Sequence, residues 1–256
     1  MPHRDTPAPG APCWVDLYTS DQARARDFYC ELLGWTADEP NPEFGGYMNF
    51  VKDGAWIAGC MGNDGSSGQP DAWSVYLSSP NAQATVDAAT KAGAQVIVPA
   101  MQVGDLGTMA VVIDPAGAAI GLWESGEHPG FRQYDEINTP AWFELFTRDH
   151  AAAVAFYQDV FGWDVSVVGD TDEFRYSTLG KDEAALAGIM DASGFLPEGA
   201  PAHWSVYFRV ADADVALKEV ARLGGATVAA AEDTPYGRMA TAADPTGAPF
   251  KLIAAI

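Results

Sequence analysis

The chain has 256 residues, with 35 Asp and Glu against 14 Lys and Arg, a formal net charge of −21 and 48% hydrophobic side chains. So acidic a surface repels nucleic-acid phosphates and anionic lipid, which argues against both as partners, and the apolar content can build packed cores. No apolar run approaches the roughly 20 residues of a membrane-spanning helix. The opening "MPHRDTPAPGAP" does not read as a signal peptide, and the three cysteines, Cys13, Cys30 and Cys60, lack C-x-x-C spacing, so reduced thiols and a cytoplasmic location are expected.

In chain order, residues 1–11 form a Pro-rich arm, expected to be loose. Trp14–Tyr18 alternates as a strand. Ser20 or Asp21 can cap a helix carrying Ala25, Phe28, Tyr29 and Leu32 on one face, with Gly34 at its end. Short strands are expected around Tyr47–Val51 and Trp56–Cys60, followed by a loop at 62–71. Trp73–Leu77 is a further strand and 82–93 a second helix. Two more strands are joined by "DPAG", which fits a tight turn with Pro second and Gly fourth.

The chain then repeats itself. "WVDLYTSDQARARDFYCELLGW" (14–35) returns as "WFELFTRDHAAAVAFYQDVFGW" (142–163), "AWSVYL" as "HWSVYF", and "DPAGAAIGLW" as "DPTGAPFKLI". A repeat this long has the size of a domain rather than of a solenoid unit. The expected organisation is an arm at 1–11, one domain at 12–125, a linker at 126–139 and a second domain at 140–256, each with the order β-α-β-β-β twice.

The FY…LGW and FY…FGW helix ends and the DPAG and DPTG turns resemble the vicinal oxygen chelate superfamily, which includes glyoxalase I, bleomycin-resistance proteins and extradiol dioxygenases. The resemblance covers about residues 12–256 and extends to two-domain actinobacterial members of glyoxalase-like or hydroxylase-like type. It implies an α+β fold of two tandem domains, each of paired modules curling a mixed sheet around a cavity. Metal-dependent members place four His, Gln or Glu ligands on cavity-facing strands. Here those positions fall on Trp14, on Ala58 or Gly59, on Ser74 and on Gly121, and in the second half on Trp142, on Ala187 or Gly188, on Ser205 and on Lys251. No imidazole or carboxylate stands there, so no metal and no other cofactor is expected.

Alternation along the strands then names the cavity walls. Trp14, Asp16 and Tyr18 share one face, and Trp142, Glu144 and Phe146 the matching one, while Val15, Leu17, Phe143 and Leu145 turn to the helices. Ser74, Tyr76, Gly121 and Trp123 of the first half, and His203, Ser205, Tyr207, Lys251 and Ile253 of the second, complete the walls, either within each half or across the two. Trp14, Tyr18, Ser74, Tyr76, Trp123, Trp142, Ser205, Tyr207 and Lys251 are the candidate ligand-binding residues, and Asp16, Glu144 and His203 the candidate acids and bases. Tyr76 and Tyr207 read equally well as core residues. Lys251 reads as a solvated charge, as an ammonium partner for an anion, or as a Schiff-base nucleophile.

Rings, hydroxyls and one acid per wall suit a flat aromatic or polyoxygenated molecule. The readings left open are a metal-independent isomerase, cyclase or lyase of secondary metabolism, a toxin- or antibiotic-sequestering binding protein, and a glyoxalase-like enzyme for reactive aldehydes. The partner expected is a small molecule, and the assembly a monomer with an internal pseudo-dimer, or a homodimer. One working cavity and one degenerate cavity are expected, formed either within each half or between the halves.

Overall fold

The computed structural model describes residues 7–256. Residues 1–6, including His3, lie outside the described part. The first half runs β1 (Pro12–Thr19), α1 (Gln22–Leu33), β2 (Thr36–Ala37), β3 (Met48–Lys52), β4 (Ala55–Gly62), β5 (Ala72–Ser78), α2 (Ala82–Lys91), β6 (Gln95–Val103), β7 (Gly107–Ile113) and β8 (Ala119–Ser125). The second half repeats it with β9 (Pro140–Thr147), α3 (His150–Phe161), β10 (Val165–Asp170), β11 (Arg175–Leu179), β12 (Ala187–Asp191), β13 (His203–Arg209), α4 (Ala213–Arg222), β14 (Ala226–Thr234), β15 (Gly237–Ala243) and β16 (Pro249–Ala254). The fold is α+β, with two eight-stranded mixed sheets ordered β2-β3-β4-β1-β5-β8-β7-β6 and β10-β11-β12-β9-β13-β16-β15-β14.

Local chemistry explains the elements. Asp21 and Asp149 accept from Arg24 N and Ala152 N, satisfying free amides at the starts of α1 and α3. Gly34 and Gly162 end both helices in the left-handed region at φ 66° and 67°. In α1 the last core position is Leu33, fully buried, and not Leu32, which is only partly covered. The helix meets two sheets, and this widens its apolar face by one position.

Val15, Leu17, Trp73, Val75 and Leu77 are buried on the helix side of the first sheet, as alternation requires, and Phe143, Leu145, Trp204, Val206 and Phe208 match them in the second. These faces share one continuous core. Helix α1 contributes to both: the Tyr29 ring lies 5.2 Å from Trp73 of its own half and 6.3 Å from Phe208 of the other.

The landmarks of the resemblance are pins between the halves. The Tyr29 hydroxyl donates to Asp244 Oδ2 at 3.2 Å, and Tyr157 donates to Asp114 Oδ2 at 3.1 Å. Each hydroxyl also accepts an indole N–H, from Trp73 at 2.8 Å and Trp204 at 2.9 Å. The other oxygen of each aspartate closes its own DPxG turn through backbone amides, two at Asp114 and two at Asp244.

The described part of the N-terminal arm and the linker between the halves are both packed. Gly10 donates to Ser78 O and accepts from Trp163 Nε1, so residues 7–11 are held across both halves. A β-carbon on Gly10 would come within 2.5 Å of Phe161 O, and the glycine permits this close passage. Residues 126–139 form a strap: Gly126 and His128 amides bond to Leu106 O, Phe131 N bonds to Cys13 O, and Trp35 Nε1 bonds to Asn138 O.

Candidate active site

The faces turned away from the helices carry the two acids, and each acid draws its partners from its own sheet. On β1, Asp16 stands beside Gly59 of β4 and Ser74 of β5. Its Oδ1 accepts from Trp14 Nε1 at 2.9 Å and from the Tyr47 hydroxyl at 2.8 Å, and the Tyr76 hydroxyl also favours its charged form. Glu144 on β9 repeats the arrangement beside Gly188 and Ser205. It accepts from the Tyr207 hydroxyl, and the Tyr176 hydroxyl, which accepts Trp142 Nε1 at 3.0 Å, also favours its charged form.

Burial pushes both carboxyls above their ordinary range; hydroxyl and indole donors pull Asp16 part of the way back, and the Tyr207 hydroxyl, the Lys251 charge and the Tyr176 hydroxyl do the same for Glu144. Desolvation outweighs the donors because a carboxylate loses more hydration than two or three neutral donors return.

Tyr47 and Tyr176 complete the clusters and were not among the residues named from sequence. They come from β3 and its approach and from β11, far along the chain from the acids. The signal available was that each half has a tyrosine at the start of its third strand, in "GGYMNF" and "FRYSTL". Glycine makes room for both. A β-carbon on Gly59 would lie 1.8 Å from the Tyr47 hydroxyl, and one on Gly188 1.9 Å from the Tyr176 hydroxyl. On Gly121 it would lie 2.3 Å from the Tyr76 ring.

Gly121 is one of the positions where the resemblance leads a metal ligand to be expected, and Gly59 and Gly188 each share such a position with a neighbouring alanine, Ala58 or Ala187. The space in front of them holds tyrosine, each acid is a single carboxylate, and no group of three or more His, Cys, Asp or Glu able to hold a metal occurs among the described residues. The donor set does not fit a divalent-metal centre of that kind.

The two faces then diverge. In the first half the strap lies over the site. His128 is buried, its ring 4.4 Å from Trp14, 5.3 Å from Trp56 and 5.5 Å from Trp123, whose Nε1 donates to His128 O. His128 Nδ1 accepts from Gly130 N, while Nε2 has no hydrogen-bond partner. Burial pushes the imidazole down to about 4. Trp14, Tyr76 and Trp123 are thereby joined to the main core.

In the second half Tyr207 and Ile253 form a separate small cluster with Ala141, against which Trp142 and Met239 pack. Lys251 replaces Gly121, opposite Tyr207 on β13, and the longer Glu144 replaces Asp16. Lys251 Nζ lies 4.6 Å from the Phe146 ring centre and 5.3 Å from that of Tyr207. Its ammonium is pushed down by burial, against the opposing pull of the Glu144 charge. Exposed rings surround this face: Phe174 lies 5.8 Å from Tyr176, and Phe195 lies 6.1 Å from Phe146. Arg148 holds the loop bearing Phe195 by donating to the carbonyls of Leu196, Pro197 and Ala200.

The remaining candidates are placed as follows. Tyr18 is turned to the 62–71 loop, its hydroxyl 3.4 Å from Ser67 Oγ, and is not bonded to Asp16. Ser74 and Ser205 stand beside the acids, half-buried. His203 is exposed and opposite Phe146 rather than Glu144; it stacks on Phe146 at 5.5 Å, with Nδ1 3.3 Å from Pro201 O. The strand register sets it two residues beyond Ser205, at the rim. Two surface hollows, of about 450 and 240 Å³, lie at Ser166–Val168 and beside Gly104 rather than at the acids.

A sequence profile of the Glyoxalase/Bleomycin resistance protein/Dioxygenase superfamily matches residues 13–122 and 139–252. "Putative glyoxylase CFP32" of Mycobacterium bovis is 38% identical, over 99% of this chain and 98% of that one. "Anthracycline biosynthesis protein DnrV" of Streptomyces peucetius is 35% identical, over 96% and 94%. Among solved structures, the Mn(II)-bound glyoxalase from Novosphingobium aromaticivorans superposes with a TM-score of 0.65 at 15% identity, covering 96% of this chain and 82% of that one. The 2,3-dioxygenase LapB from Pseudomonas sp. KL28 gives 0.63 at 14%, covering 97% and 93%. With both halves matched and two full-length relatives above 30% identity, the chain belongs to the Glyoxalase/Bleomycin resistance protein/Dioxygenase superfamily.

Proposed function

We propose that the second open face is the working site of an enzyme that moves protons on a planar, oxygenated aromatic metabolite, with side chains in place of a metal centre. One observation carries this reading. Glu144 is buried beside the Tyr207 and Tyr176 hydroxyls and acted on by the charge of Lys251, where the first half has Gly121. A carboxyl with a raised pKa can both hold and release a proton nearer neutral pH. In this scheme Glu144 takes a proton from a phenolic or enolisable position and returns it elsewhere. Tyr176, Tyr207 and Ser205 bond the polar edge, Trp142 and Phe146 supply ring contacts, and Lys251 faces a developing phenolate or enolate. The first half, with Asp16 fully bonded and His128 over it, acts as scaffold.

The Streptomyces relatives are named for anthracycline biosynthesis, which supports a polycyclic aromatic substrate. The mycobacterial relatives, named putative glyoxylase, favour a second reading, in which the same face takes a reactive aldehyde. Carboxyl-carbon NMR titration of Asp16 and Glu144, with and without a hydroxylated anthraquinone, tests the first. Glu144 should titrate high and shift on ligand addition while Asp16 is unmoved by it. Two ligand-insensitive carboxyls would overturn the proposal.

A further inference from the structure

We infer that Lys251 is a covalent site for carbonyl compounds, forming an imine with aromatic or conjugated aldehydes and ketones. The inference rests on the second face being the working one and adds a step that proton transfer by Glu144 alone does not include.

The placement is specific. Lys251 sits on β16, paired to Tyr207 on one side and Thr241 on the other, so its stem is fixed by two neighbouring strands. Its Nζ is held near two ring faces, Phe146 and Tyr207, and the His203 ring stacks on Phe146 from the adjoining position. Among the described residues it forms no ion pair within 4.0 Å; exposed Lys52, by contrast, pairs with Asp53 at 2.6 Å. Lys251 is half-buried rather than sealed in the core. Rings around an amine exclude water and accept a flat substrate, and desolvation favours the neutral, nucleophilic amine. The first half has glycine here, with the Tyr76 ring in the space of a side chain.

The step balances without a redox partner. The neutral Lys251 amine donates its lone pair to the carbonyl carbon, and the carbonyl oxygen takes up the proton that the nitrogen gives up, forming a carbinolamine. Protonated Glu144 then gives its proton to the hydroxyl as the C–O bond breaks and water leaves. The nitrogen lone pair forms the C=N bond, and the iminium can return its proton to the Glu144 carboxylate. Amine plus carbonyl gives imine plus water.

The test uses full-length protein, 4-hydroxybenzaldehyde and sodium cyanoborohydride, which reduces an imine to a stable secondary amine. Peptide mass mapping follows the rate at each of the five lysines, Lys52, Lys91, Lys181, Lys218 and Lys251. Lys251 should label at least about tenfold faster than any other and reach its plateau rate at lower pH. The fast adduct should vanish in Lys251→Arg and form more slowly in Glu144→Gln, with folding checked by circular dichroism. Labelling of Lys251 at the rate of the other four overturns the inference, and wild-type protein alone decides this if a variant fails to fold. The two readings separate in the data: fast labelling with a ligand-insensitive Glu144 keeps the imine and removes the proton-transfer proposal, and slow labelling with a ligand-sensitive Glu144 does the reverse.

Discussion

Replacing Tyr207 with phenylalanine keeps the ring and removes one hydroxyl, so it isolates the bond to Glu144. Both residues are buried, and the bond lost runs to a carboxylate. A hydrogen bond to a charged group contributes about 1.5–3 kcal/mol, against about 1 kcal/mol for a neutral pair. Tyr207→Phe should therefore cost about 1.5–3 kcal/mol where Glu144 is ionised. At about 2–4 °C per kcal/mol for a chain near this size, the melting midpoint should fall by about 3–12 °C. The cost should also depend on pH. The folded pKa of Glu144 is raised above its ordinary 4.5, so the native state binds the proton more tightly than the unfolded one. Its contribution is fully present below about 4.5 and is lost as pH rises through the folded value. The variant, with one donor fewer, should lose more over that window, and its deficit should shrink toward about 1 kcal/mol at acidic pH. Urea denaturation read by tryptophan fluorescence, from about pH 4 to pH 8, measures this. In Glu144→Gln the hydroxyl deletion should have a small, pH-independent effect. A Tyr207→Phe cost that is flat with pH, or unchanged in the Glu144→Gln background, would refute the coupling.

Tyr29→Phe and Tyr157→Phe each break a bond between the halves and leave a buried indole N–H without its acceptor, so each should cost about 2–4 kcal/mol in urea denaturation while leaving ligand affinity unchanged. Gly188→Ala puts a methyl where the Tyr176 hydroxyl lies, and the displaced ring should change the carboxyl NMR titration of Glu144 but not that of Asp16; Gly59→Ala should do the converse, through Tyr47 and by direct contact with Asp16 Oδ1. Trp142→Ala should weaken binding of a planar aromatic by about 0.5–1.5 kcal/mol beyond lost area, measured by calorimetry. Trp14→Ala, buried under His128, should instead destabilise the fold by about 3–5 kcal/mol with no change in affinity. Equal affinity losses in both would mean that both faces bind.

The sequence by itself determined the repeat, the element order and which residues share a strand face. Those properties are local: helical and alternating periods, caps such as Asp21 and stops such as Gly34 act over a few residues. It therefore placed Trp14 with Asp16 and Trp142 with Glu144, and at the positions where the resemblance leads metal ligands to be expected it has tryptophan, alanine or glycine, serine, and glycine or lysine. Tertiary structure decided the rest, because strand order and register bring together residues that no local period links. Tyr47 and Tyr176 reach the acids only through β3–β4–β1 and β11–β12–β9 pairing. His203 went to the rim by a register of two residues. The FY and DPxG motifs, legible as family landmarks, turned out to join opposite halves, since each tyrosine finds its aspartate across the shared core. Whether each site forms within a half, and that His128 of the strap covers the first of them, follows from the path of the backbone over the sheets, which composition and spacing do not encode.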